Sequence, residues 1–137
     1  MKKLLTFIII FTSISLSSNA ASFNWTKHDV AIDNSMELYY DKKTVFQVGS
    51  YKYYWVLANF LKKVQDNNLS MIGHHMANCE TNEMKLITMV TYDRPMGRGN
   101  VNYDYIGPEE DPEEFVWEYY DPKVMYGDMI KKICNIR

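Results

Sequence analysis

The chain has 137 residues, with 15 basic against 17 acidic side chains, a formal net charge of −2 and 15% aromatic content. Removal of a leader over residues 1–20 would take away Lys2 and Lys3 and no acid, leaving 117 residues with a net charge of −4. That length suits one domain with a real core, and the negative balance excludes a nucleic-acid binder, which needs a basic face.

The leader is read from three regions. Met1-Lys2-Lys3 is cationic, Leu4 to Ile14 is apolar, and small residues follow at Ser18 and Ala20. This is the pattern of a secretory signal peptide cleaved between Ala20 and Ala21, because the peptidase accepts only small side chains at those sites. The apolar run of about 11 residues is too short for a membrane span, which needs roughly 20. The expected domains are therefore a signal peptide over 1–20 and a single exported domain over 21–137, with no transmembrane segment in the mature chain. No Cys follows the apolar run, so the expected location is periplasmic, secreted or at the cell surface without a lipid anchor.

Taken in chain order, Asn24–Ile32 reads as a first strand anchored by Trp25, and Asp33-Asn34-Ser35 as a turn. Met36–Tyr40 reads as a second strand, and Thr44–Val48 extends it or starts another. Tyr51–Phe60 is the strongest strand signal: Tyr53, Trp55 and Leu57 alternate with Tyr54, Val56 and Ala58. Both faces are apolar, which predicts a central strand. Leu69–Cys79 and Met84–Tyr92 follow, joined by a hairpin over Glu80–Glu83. Asp93–Gly99 reads as an irregular loop, Val101–Ile106 as a strand, Gly107–Glu114 as an acidic loop and Phe115–Tyr119 as a short extended piece. Asp121-Pro122 is expected to open a helix. Tyr126, Met129, Ile130, Ile133 and Cys134 then recur at helical spacing. The fold class is α+β, mainly β: an antiparallel sheet of about six strands with one C-terminal helix.

The chain has two cysteines, Cys79 and Cys134. In an exported protein such a pair is most simply a disulfide, and here it would tether the helix to the sheet. That removes the one thiol mechanism available, a pairing of His75 with Cys79 four residues on. His74 and His75 are neighbours on a strand and point to opposite faces, so one metal cannot easily take both. A surface or edge pair is the expected reading, and no structural-zinc spacing exists. The acidic run Glu109–Glu114 lacks the alternating ligands and central glycine of a calcium loop. Gly97-Arg98-Gly99 precedes a strand, so it is not a phosphate cradle. No Gly-x-Ser-x-Gly elbow is present. Asn24-Trp25-Thr26 and Asn68-Leu69-Ser70 match the glycosylation triplet. No catalytic, cofactor or metal site is expected, and the chain is read as non-enzymatic. Trp55 is expected in the core, while Tyr39, Tyr40, Tyr103, Tyr105, Tyr119 and Tyr120 are the better surface candidates.

The order of these features resembles the surface-adhesin protein E family of small exported bacterial proteins. The matching features are the leader, an early Trp25, the strand end Tyr39-Tyr40-Asp41 and the apolar strand with Trp55 and Leu57. Cys79 after the next strand, the Met96/Gly99/Val101 loop into a strand, the late Trp117 and a helix closing on Cys134 complete the set. The resemblance implies a small antiparallel sheet with a disulfide-tethered C-terminal helix. It also implies an exported binding protein whose partners are host matrix or serum proteins. The alternative is a periplasmic envelope protein that takes a small ligand or a bacterial partner.

Overall fold

The computed structural model describes residues 22–31, 33–64, 67–106 and 116–137. The expected cleavage site Ala20–Ala21 and the acidic loop 107–114 lie outside the described residues. Eight strands form one antiparallel sheet: β1 (Trp25–Val30), β2 (Met36–Asp41), β3 (Phe46–Val48), β4 (Tyr51–Phe60), β5 (Ser70–Asn78), β6 (Glu83–Arg94), β7 (Arg98–Ile106) and β8 (Glu118–Tyr119). Six of them make the main path, in the order β1-β2-β4-β5-β6-β7, and the two short strands flank it, β3 on β4 and β8 on β6. Helix α1 (Met125–Cys134) closes the chain. The expected fold class is the observed one.

Strand β4 is central as its sequence predicts. It pairs with β2 and β3 along one side and with all of β5 along the other. The period-2 alternation divides its side chains between two environments. Tyr54, Val56 and Ala58 face α1 and join Leu38, Ala77, Met84, Met129, Ile130 and Ile133 in the buried core. Each large aliphatic side chain removed from water there contributes about 1.5–3 kcal/mol. The opposite face carries Tyr53, Trp55 and Leu57.

Four expectations are corrected by the structure. The irregular loop at 93–99 is instead a tight hairpin turn: β6 runs to Arg94 and β7 starts at Arg98. The tip folds back over the sheet, where Met96 N donates to Asn59 Oδ1 at 3.0 Å and Gly97 N donates to Ser70 Oγ at 2.9 Å. The helix begins three residues later than its capping signal implied. Asp121 spends its carboxylate on Lys123 N at 2.9 Å, and its carbonyl accepts from Val124 N at 2.9 Å, so it makes a turn before the helix. Gly127 then lets α1 sit against that turn, because a Cβ there would collide with the Asp121 carbonyl. The extended piece expected over 115–119 is a strand only at Glu118–Tyr119, and Phe115 lies outside the described residues.

The histidine pair is the fourth. β5 lies between β4 and β6, so the pair is not at an edge, and only His74 lies on the open face. The two rings do point to opposite faces. His75 is 4% exposed, and His74 is partly buried on the other side.

Cys79 and Cys134 are bonded, with 5.7 Å between their Cα atoms. The bridge ties the end of β5 to the last turn of α1. A second tie lies beside it: Lys52 Nζ donates to the Ile136 carbonyl at 2.6 Å.

Candidate functional site

The face of the sheet away from α1 carries a continuous series of rings. Trp25 stacks on Phe23 with centroids 4.7 Å apart, and Phe23 meets Trp55 at 5.4 Å. Trp55 stacks on His74 at 4.6 Å and 15°, His74 meets Tyr53 at 6.1 Å, and Tyr53 stacks on Phe46 at 4.9 Å and 6°. The sequence brings these rings together through register. Trp55 is opposite His74 across the β4–β5 pair, and Phe46 is opposite Tyr53 across β3–β4. Tyr51 stacks on Trp117 at 5.5 Å at the end of the same strand.

Stacking between neighbours stands the rings up on the sheet. Solvent therefore meets ring edges rather than flat faces. Such a surface offers apolar edges to a protein partner, since aromatic groups anchor interfaces through area and edge contacts. Phe46 is 50% exposed and Val48 54% exposed, and α1 covers the other face.

A polar group borders the rings. Lys27 Nζ lies 2.6 Å from Glu37 Oε1, while Tyr39 Oη and Asn59 Nδ2 donate to Glu37 Oε2 at 2.8 and 3.2 Å. The Lys27 bond, then those from Tyr39 and Asn59, hold the Glu37 carboxyl below its ordinary pKa. An aromatic centre beside a polar rim is the anatomy of a protein-binding patch.

Within the rings, His74 has a buried Nε2 with no hydrogen-bond partner among the described residues. Burial pushes its pKa down, which favours the neutral ring. A buried polar atom without a partner is costly.

The residues singled out in the sequence separate clearly. Trp55, expected in the core, is partly buried on the open face. Tyr103 and Tyr119 are exposed, at 47% and 64%. Tyr40 and Tyr120 instead pack against the core, Tyr39 serves Glu37, and the Tyr105 side chain lies outside the described residues. Asn24 is exposed, whereas Asn68 is only 9% exposed and its Oδ1 accepts from Asn102 Nδ2 at 2.8 Å, a poor position for a glycan. Among the described residues no cluster of three His, Cys, Asp or Glu could hold a metal ion, and no helix is long and apolar enough to cross a membrane. Phe23, Phe46 and His74 were not singled out as binding residues. The signal for Phe46 and His74 was available only as register, which needs the pairing of strands to be known.

A search of curated protein sequences finds no match. Among solved structures, Haemophilus influenzae protein E in crystal form II superimposes with a TM-score of 0.58 at 13% identity, covering 79% of this chain and 86% of that one. Another structure of H. influenzae protein E gives 0.54 at 13% identity, covering 79% and 83%. Protein E from non-typeable H. influenzae gives 0.51 at 13% identity, covering 82% and 85%. These similarities establish a shared fold. The family model for surface-adhesin protein E matches residues 25–135, from Trp25 at the start of β1 to the residue after Cys134, and the chain belongs to the surface-adhesin protein E family.

Proposed function

We propose that this protein is an exported, non-enzymatic adhesin that contacts host matrix or serum proteins through the open aromatic face. The observation that carries the reading is the series of ring contacts from Trp25 to Phe46 on the side of the sheet opposite α1, where Phe46 is half exposed and the other rings are partly buried. Family membership supports a surface adhesin. The sequence of residues 1–20 supports export, with cleavage between Ala20 and Ala21.

Two measurements test the reading together. Whole cells are labelled with a membrane-impermeant biotin reagent, and the labelled protein is sought by mass spectrometry. The purified disulfide-bonded protein is then passed over immobilised serum and matrix proteins. Surface labelling with saturable binding to at least one of them is the expected result. Confinement to the periplasm with no binding would sink the proposal.

A further inference from the structure

A second feature lies on the α1 side of the sheet, away from the aromatic face. A cavity of about 220 Å³ opens between β5, β6, the segment around β8 and α1. Its apolar walls are Met84, Leu86 and Val116, and its polar groups come from His75, Glu118, Tyr120 and Tyr126. Drug-sized ligands occupy roughly 300–1,000 Å³, so this space suits a small group or the end of one long side chain.

The polar groups share one property: their own hydrogens are already engaged. His75 Nδ1 lies 3.2 Å from the Gly73 carbonyl, which can only accept, so the proton is on Nδ1 and Nε2 keeps its lone pair. Gly73 allows this inward fold of the ring, because a Cβ there would stand 2.7 Å from His75 Cε1. The Tyr120 hydroxyl donates to Glu118 Oε2, and the Tyr126 hydroxyl is directed at Met36 Sδ, 4.0 Å away. What remains for an occupant is a set of acceptors, including one carboxylate. No Lys or Arg is among the described lining residues.

An occupant must therefore bring donors, a positive charge and an apolar stem. A primary ammonium has three donors and no acceptor. Its charge is complemented by the Glu118 carboxylate. Met84, Leu86 and Val116 would pack on its carbon stem. We propose that this cavity is a binding site for a small alkylammonium group, either a free amine or the end of a lysine side chain.

The test uses the full disulfide-bonded protein with its methionine and leucine methyls labelled for NMR. It is titrated with n-butylammonium chloride, with 1-butanol as the neutral analogue, and with the blocked tripeptide Gly-Lys-Gly. Saturable shifts at the Met84 and Leu86 methyls with n-butylammonium, and weaker ones with 1-butanol, are expected. If the tripeptide matches n-butylammonium, the occupant is a lysine side chain; if only n-butylammonium binds, it is a free amine. Glu118→Gln keeps an acceptor for Tyr120 and sits on the surface, so the fold is retained, and it should weaken n-butylammonium about tenfold. No saturable shift with either cation overturns the proposal, as does equal binding of 1-butanol or an unchanged affinity in Glu118→Gln. None of these outcomes depends on the aromatic face.

Discussion

His75 is 4% exposed and stacked 5.7 Å from Tyr54. Burial pushes its pKa down to about 4, outweighing the raising effect of the bond to Gly73. An unfolded histidine titrates near 6.5. The unfolded chain therefore binds this proton first, so the contribution of neutral His75 is present above about pH 6.5 and is lost as pH falls towards 4. The difference corresponds to about 3 kcal/mol. His28 and His74 are shifted in the same direction, mainly by burial, and steepen the same window. Urea unfolding midpoints should thus fall between pH 6.5 and pH 4. His75→Phe should show a shallower fall; an equal fall in both proteins would remove His75 as the cause.

At the scale of elements, the disulfide is the strongest single tie between α1 and the sheet. The helix is only 10 residues long, too short to persist alone in water. The bridge closes a loop with a sequence separation of 55, worth about 4 kcal/mol on the chain-entropy account. Cys79→Ser or reduction should lower the melting temperature markedly and expose the helix face to proteolysis. Equal melting with and without reductant would contradict this.

The elements also show what the sequence made legible. β4 was readable because both of its faces are apolar from Tyr53 to Ala58, and the bridge because export leaves a cysteine pair one simple fate. The start of α1 was not readable. Asp121-Pro122 carries the signature of a helix cap, yet the carbonyl of Asp121 packs against Gly127, a contact six residues away that only tertiary structure reveals. The turn at Pro95–Gly97 was misread for a related reason. Gly99, at the end of the expected loop, lies in β7 with a φ of +85°, a conformation that glycine adopts without strain. The histidine pair illustrates the limit of strand periodicity. It separates His74 from His75 correctly, but whether a strand is central or at an edge depends on its neighbours.

For the whole molecule, the sheet has two unlike faces. One is closed by α1, fastened by the Cys79–Cys134 bridge and the Lys52–Ile136 bond. The other leaves its rings open beside the Lys27–Glu37 pair. A fastened scaffold holding standing rings gives a partner a pre-formed surface, which limits the ordering that binding would otherwise require. Substitutions on the open face should therefore change binding and leave the fold intact. The most direct test is binding of the purified protein to an immobilised serum or matrix protein, compared with the double variant Phe46→Ser, Trp55→Ser, with melting measured for both. The account predicts at least about tenfold weaker binding in the variant, as expected for truncating central aromatic anchors, with a cooperative melt retained. Binding that is unchanged in a folded double variant would contradict it.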